Sequence, residues 1–404
     1  MTPYSNRHTQ QTSDKMIRAK GRVIFNSIPE GYSNNQRVIL AGIDFSGIQS
    51  FIFKQDGLDN IAEIAKRSQY INRLAVKIDG DLKELLKEYA YFSITNRGGK
   101  IQAVVKYSKR AAEILEGYLS CLQRIVFTVN EGELQLFYGL VKTRIARQAK
   151  SSGKESSYSD LMKAIGKNKL QCANVYGFDA GEYNDLTYSP EYLTEDMENR
   201  PALHLDNKLA ALKFDFDNLG NFFATVKAVD TIADISKNLS ATIDKIVSSL
   251  PNVTTIYSGG DDIFLLCPKS VLSQVAVRLY EGILNNIRTD YILRDYRESF
   301  GLSCGAFTFN RDVSLVVFAT NAEKQLALSK IREKNRVTVE DISFTWDEFI
   351  FANSAIERFY EKSTGETQKE LLNYSFINLL RYICAVTKNQ EEKTKLRKLL
   401  AKAD

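Results

Sequence analysis

Carboxylates gather at two places in this chain, in a setting that suits a hard divalent cation. Asp215 and Asp217 close the apolar run that begins at Leu209. Asp261 and Asp262 follow the glycines of Ser258-Gly259-Gly260-Asp261-Asp262. A short continuous apolar run reads as a buried strand, and Gly-Gly between two apolar runs reads as a hairpin turn. If the two strands are neighbours, Asp215 and Asp261 converge at one sheet edge, joined by the carbonyl of Phe216, with Asp217 as a further candidate donor. Oxygen donors without histidine fit Mg²⁺ or Mn²⁺. Such ions activate a ribose hydroxyl and stabilise a departing pyrophosphate, which is what nucleotidyl transfer requires. Either motif alone is also an ordinary strand end or Asp-rich turn; both on the expected strands favour a site.

The same pattern occurs once before, with altered chemistry. Asp44-Phe45-Ser46-Gly47-Ile48-Gln49-Ser50-Phe51 echoes Asp215-Phe216-Asp217-Asn218-Leu219-Gly220-Asn221-Phe222, and Arg97-Gly98-Gly99-Lys100 echoes the later Gly-Gly turn. Carboxylates of the second copy are partly replaced by Ser46 and Lys100 in the first. One metal site and one degenerate partner are expected.

The elements that must position these residues repeat in the same order. In the first copy, Val38 to Ile43 reads as a buried strand and Ile71, Leu74, Ile78, Leu82 and Leu85 carry helical spacing. A hairpin follows, from Tyr91 to Thr95 and Ile101 to Lys106, then a helix over about 109–124 and strands at Ile125 to Val129 and Leu134 to Val141. In the second copy, Leu209 to Phe214 is the strand, and a helix through Ile232, Ile235, Leu239, Ile243, Ile246 and Leu250 stops at Pro251. The hairpin joins Thr254–Tyr257 to Ile263–Cys267. A helix through Leu272, Val275, Leu279 and Ile283, a strand over 301–309 and a helix over about 315–330 complete it. Strand, helix, hairpin, helix, strand gives an antiparallel sheet with helices on one face. The expected class is α+β: two ferredoxin-like units, at 37–145 and 206–345. An irregular extension (1–36), a polar and basic linker (146–205) and a helical end (346–404) flank them.

Composition narrows the chemistry. The 404 residues are 44% apolar and 25% charged, with a formal net charge of +5. No apolar run reaches the roughly 18 residues that span a bilayer, and the N-terminus lacks the apolar core of a secretory signal, so a cytoplasmic protein without membrane contact is expected. Cys121, Cys172, Cys267, Cys304 and Cys384 form no CxxC, which argues against zinc and does not imply disulfides. His8 and His204 are the only histidines, which excludes nucleases built on several His ligands. Basic residues thicken between Lys142 and Lys169 and between Lys388 and Lys402, either as solvated faces or as phosphate-contacting surface.

The residues also carry a family resemblance. Leu212 to Phe223, Tyr257 to Phe264, Gly301 to Gly305, Ala322 to Lys330 and Asn335-Arg336-Val337 resemble the palm domains of GGDEF-type nucleotidyl cyclases. Asp44 to Phe53 with Ala65-Lys66-Arg67-Ser68, followed by Asp215 to Gly220 and Tyr257 to Asp262, resembles the large polymerase-like subunit of type III CRISPR effector complexes, over about residues 37–345. The resemblance implies two palm domains packed face to face, each binding ATP, and a GGDD palm that joins ATP into cyclic oligoadenylates in antiviral defence. By position it makes Asp215, the Phe216 carbonyl and Asp261 metal ligands with Asp262 in support. It lays Asn218, Ser258, Gly259 and Gly260 against the nucleotide and makes Lys330 a phosphate ligand. It gives the acceptor ATP to Ser46, Gly47, Gln49 and the Gly98-Gly99 turn. Taken alone, Lys330 is equally a solvated helix lysine, and Gln49 equally a turn amide. The family's HD nuclease and cysteine-ligated zinc module have no counterpart here, so DNA cleavage is not expected. Implied partners are ATP and other type III subunits with guide and target RNA. A non-catalytic RNA-binding scaffold and a stand-alone cyclic dinucleotide synthase are the alternatives.

Overall fold

A computed structural model describes residues 16–54, 61–147, 157–171, 208–219, 222–223, 226–250, 252–259, 262–289, 294, 300–310, 315–363 and 374–403. The chain divides into two compact units. Unit 1 takes Met1–Lys54, Lys66–Tyr192 and Gly220–Leu239; unit 2 takes Gln55–Ala65, Leu193–Leu219 and Ser240–Asp404.

Unit 1 is built on β1 (Ile17–Arg18), β2 (Val23–Phe25), β3 (Arg37–Ser46), α1 (Ile48–Ile52), α2 (Ile61–Leu85, whose first residues count with unit 2), β4 (Phe92–Arg97), β5 (Lys100–Lys106), α3 (Lys109–Val129), β6 (Gln135–Arg147) and α4 (Tyr158–Gln171). The central sheet runs β6-β3-β5-β4, all antiparallel, the ferredoxin-like order expected from the alternation of elements. β1 and β2 lie in the stretch read as irregular, and both pair parallel with β6. The Arg97–Lys100 pair leaves Gly98 and Gly99 as a two-residue hairpin loop with φ of 62° and 71°. Positive φ at both positions matches a type I′ turn, the loop whose twist suits a hairpin.

One expected strand is absent. Ile125 to Val129 continues α3 instead of starting a strand. β-Branched residues favour strands weakly, whereas Leu115, Leu119, Leu122 and Val126 form a continuous buried stripe at helical spacing, and that burial decides. Asn130 ends the helix, its Nδ2 donating to the Val126 carbonyl at 2.9 Å.

Unit 2 repeats the plan with β7 (Lys208–Asp217), α5 (Val229–Ser249, whose first half counts with unit 1), β8 (Thr254–Gly259), β9 (Asp262–Pro268), α6 (Leu272–Thr289), β10 (Gly301–Asn310) and α7 (Leu315–Ile331). The sheet runs β10-β7-β9-β8, again antiparallel. Beyond β10 it continues through a parallel β11 (Arg336–Val339) and an antiparallel β12 (Ile342–Thr345). The duplication extends to irregularities: a bulge falls between Ser93 and Thr95 on β4 and between Thr255 and Tyr257 on β8, the same step before each hairpin turn. Three further helices follow: α8 (Trp346–Lys362), α9 (Phe376–Val386) and α10 (Gln390–Leu400). α8 opens on a capping box in which Thr345 and Glu348 satisfy each other's backbone N–H. Trp346 stacks on Tyr280 with centroids 4.0 Å apart and donates Nε1–H to the Leu302 carbonyl at 2.7 Å, fixing the end of β10.

Among the described residues no helix is long and apolar enough to cross a membrane.

Candidate active site

Strand register brings the acids together. Asp215 on β7 lies opposite Asp262 on β9 and opposite Ser303 on β10. Directly opposed residues of an antiparallel pair point to the same face, so the Asp215 and Asp262 carboxylates share one face at the end of β9. Gly260 and Asp261 lie outside the described residues.

The Phe216 carbonyl follows from the same register. Leu302 faces Phe216 across β10 and β7. The Leu302 N–H goes to Asn335 Oδ1 and its carbonyl to Trp346, both away from β7. Leu302 and Phe216 are therefore a non-hydrogen-bonded pair, and the backbone groups of Phe216 point the other way, past the end of β9. That is the side on which Asp262 begins its strand.

A lysine meets this edge from above. α7 packs along β10 and β7 because β10 carries Gly305, where a Cβ would come within 2.2 Å of the Leu326 nitrogen. Buried Ser329 locks the helix end, its Oγ donating to the Cys304 carbonyl at 2.7 Å. One residue on, Lys330 Nζ reaches Asp215 Oδ1 at 2.8 Å. Partial burial lowers the Lys330 pKa, but the hydrogen bond and charge of Asp215, with the charges of Asp262 and Asp217, outweigh it and raise the pKa overall. Three carboxylates thus act on one ammonium. Lys213, further back on β7, is matched by Glu323 of the same helix.

Asp217 has a different duty from Asp215. It is 3% exposed; Ser303 Oγ lies 2.8 Å from both its oxygens, and the Asn335 N–H donates to it at 2.8 Å. Glu333, Lys334 and Asn335 all have positive φ, so Asp217 pins a strained turn that returns the chain into β11. Neighbouring Asn218, itself at φ 60°, is exposed and accepts from Lys334 Nζ at 2.6 Å. Ser258 is half-buried opposite Ile263, and Gly259 ends β8.

In unit 1, Ser46 ends β3 opposite Gln135 and Gln49 is exposed on α1. Packing requires Gly47 (φ 80°), where a Cβ would meet the Glu133 carbonyl oxygen at 2.1 Å, whereas Gly99 is favoured by its φ of 71°, since the Ile48 Cδ1 that a Cβ would approach can turn away. Asp44 pairs with Lys169 of α4, a helix inside the segment read as a polar linker. Lys169 figures in the sequence reading only as the end of a basic stretch; its pairing with Asp44 and the Ser303 and Asn335 contacts to Asp217 do not.

The donor set fits a divalent cation. Asp215, Asp262 and the Phe216 carbonyl present oxygen at one edge, and the positive charge that now offsets them belongs to a half-exposed lysine able to move. Among the described residues, which omit Asp261, no three His, Cys, Asp or Glu side chains already form a metal-sized cluster.

Comparison with known proteins agrees with this architecture. Residues 37–186 match the model for the Csm1 subunit domain B, and residues 208–338 match that for the Cas10/Cmr2 second palm domain. No curated protein matches the chain. Among solved structures, a Csm1–Csm4 cassette in complex with AMPPNP matches with a TM-score of 0.63 at 16% identity, over 92% of this chain and 65% of that one. The cassette in complex with cA3 gives 0.61 at 15%, over 93% and 71%. Csm1 of T. onnurineus gives 0.60 at 16%, over 89% and 63%. The chain thus spans about two-thirds of the length of these proteins, and at such identity the likeness is one of fold. The two family matches fall one on each copy of the ferredoxin-like plan and together take in more than half of the chain, which belongs to the Cas10/Csm1 family, a family that includes the Csm1 of a type III-A CRISPR interference complex.

Proposed function

We propose that this chain is a nucleotidyltransferase that converts ATP to a cyclic oligoadenylate-type product, with Mg²⁺ or Mn²⁺ at the Asp215 edge of unit 2. The observation that carries this reading is the side-by-side placement of Asp215 and Asp262 on opposed strands beneath Lys330. Solved Csm1–Csm4 cassettes in complex with AMPPNP, pppApA, cA3 and cA4 support the choice of substrate and product class.

Asp215, Asp261 and the Phe216 carbonyl would hold the ion, with Asp262 beside them. When bound, the ion supplies charge neutralisation at the α-phosphate and a lower pKa for the attacking ribose hydroxyl. The chain's own part is positioning. Lys330 balances Asp215 in the free protein and is long enough to turn its ammonium onto the triphosphate. Gly259 at the end of β8, having no side chain, would let a base or phosphate approach the backbone. The acceptor nucleotide belongs to unit 1, where Ser46, Gly47, Gln49, Gly98 and Gly99 lie at the equivalent sheet edge. Work alongside other type III subunits, with guide and target RNA, is part of the same proposal, supported by the Csm1–Csm4 pairing in the solved assemblies.

The test is incubation of purified protein with radiolabelled ATP and Mn²⁺, with and without guide and target RNA. A phosphatase-resistant product is expected. Its absence under every condition would count against the enzyme and favour a non-catalytic RNA-binding scaffold. Replacing Lys330 by Met should raise the KM for ATP by about 10- to 100-fold, the range of a lost hydrogen bond to a charged group. Mn²⁺ binding without nucleotide should not weaken, because the competing ammonium is gone. Unchanged KM would remove Lys330 from the phosphate site.

A further inference from the structure

The two copies hold the same lysine–aspartate pair, placed by the same construction. Asp215 lies opposite Ser303 and Asp262; Asp44 lies opposite Phe137 and Lys100. Two residues back along the strand, Lys213 faces Gly305 and Gly42 faces Gly139. Gly305 touches Leu326 of α7, and Gly139 touches Ile165 of α4, where a Cβ would come within 2.8 Å of the backbone nitrogen. Four residues beyond Leu326 is Lys330; four beyond Ile165 is Lys169. Lys330 meets Asp215 at 2.8 Å and Lys169 meets Asp44 at 2.5 Å, with side-chain exposures of 37% and 17% in the first pair and 39% and 22% in the second.

What surrounds the pair is inverted. In unit 2, Asp262 and Asp217 add negative charge, so three carboxylates act on one ammonium. In unit 1, Lys100 takes the place of Asp262 and Ser46 that of Asp217, so this edge carries two lysines, of which Lys169 pairs with Asp44, and a single carboxylate. Lys100 is exposed and has no ion-pair partner among the described residues. Phe137 replaces Ser303 and places its ring 5.4 Å from Lys169 Nζ, a distance at which the ring face favours a cation. A divalent cation would meet two like charges there. An anion would meet a net positive charge, Lys169 and Lys100 against Asp44, at an edge backed by the Gly98-Gly99 turn.

We propose that Lys169 and Lys100 form a polyphosphate site in unit 1 that takes a nucleoside triphosphate without a divalent cation, Asp44 acting as the positioning residue that holds Lys169. This rests on the proposed function for the identity of the ligand. It adds that the two copies divide the work by charge, one seating the ion and the other seating phosphate directly.

The test measures equilibrium binding of ATP and of inorganic tripolyphosphate in EDTA, by calorimetry, for the wild type, Lys169→Met, Lys100→Met and Lys169→Arg. Each Met variant should weaken both ligands at least about tenfold, and Lys169→Arg should recover part of the loss. Mn²⁺ stoichiometry without nucleotide, read from the free-ion EPR signal, should stay at the wild-type value in these variants. The charge-restoring double variant Ser46→Asp with Lys100→Asp should bind one Mn²⁺ more than the wild type. Metal-free binding that ignores Lys169 and Lys100, or a double variant with no added ion, overturns the proposal. Its fate is separable from that of the enzyme reading. Lysine-dependent binding in EDTA without any cyclic product would keep the phosphate site and dismiss the cyclase. Product formation with lysine-independent binding would do the reverse.

Discussion

Asn in place of Asp215 should lower Mn²⁺-dependent ATP turnover by about 10³-fold and leave the melting temperature within a few degrees of wild type. The two halves of this expectation have separate causes. Asn keeps the shape of the side chain and its hydrogen-bonding carbonyl, so the edge of β7 need not rearrange. What stability is lost comes from the ion pair with Lys330, whose members are 17% and 37% exposed. A pair so open to water contributes about 0–1 kcal/mol, and in a unit of this size each kcal/mol moves the midpoint by roughly 2–4 °C. Activity depends on the formal charge. A carboxylate that helps hold the ion underlies several kcal/mol of transition-state stabilisation, and about 4 kcal/mol corresponds to 10³ in rate. Steady-state kinetics with a parallel thermal melt checks both. A loss of less than tenfold would place the chemistry elsewhere, whereas a collapse in melting temperature would make Asp215 a folding residue.

The sheet and most of its helices were legible because both copies write the same alternation of period-two and period-three-to-four apolar residues. Ile71, Leu74, Ile78 and Leu82 line one buried face of α2, as their spacing demands. Ile125 to Val129 misled because a run of β-branched residues cannot reveal that it extends a stripe begun at Leu115. α4 was hidden for the opposite reason. Its buried contribution is little more than Leu161, Ala164 and Ile165, and it docks because Gly42 and Gly139 remove side chains from the sheet beneath. A flat patch made by two glycines on different strands leaves no periodic trace.

The site divides along the same line. The strand ending at Asp215 and the hairpin beside it were legible from their apolar runs, although the expected convergence was of Asp215 with Asp261, which lies outside the described residues, and the register sets Asp262 opposite Asp215. The separate role of Asp217 was not legible, since its partners Ser303 and Asn335 come from distant segments. Nor was the pairing of Asp44 with Lys169, which depends on the hidden helix. Long-range side-chain partnerships are set by packing depth, and a linear pattern does not encode depth.

The packing depth beneath α7 yields the largest expected effect on stability. Gly305→Ala should destabilise unit 2 by about 3–5 kcal/mol, lowering its melting temperature by roughly 6–20 °C. A Cβ at Gly305 would lie 2.2 Å from the Leu326 nitrogen, 2.4 Å from the Ala322 oxygen and 2.8 Å from the Gln325 carbonyl carbon. All three are backbone atoms of the helix, so no rotamer change relieves the overlap and α7 must lift. Cys304, Ala306, Ala322 and Leu326 around the contact are at most 1% exposed, which leaves no slack to absorb the shift. Lifting α7 also strains the Ser329 bond to Cys304 and the Lys213–Glu323 pair, and it carries Lys330 away from Asp215. The variant should therefore bind ATP more weakly even at temperatures where it remains folded. Gly166→Ala is the control: it also sits in a packing helix, α4, but a Cβ there meets nothing within 4 Å. That change should be neutral or stabilise by up to about 1 kcal/mol through helix propensity. Differential scanning fluorimetry on both proteins decides the matter, and equal midpoints would show that α7 does not rest on Gly305 as the geometry requires.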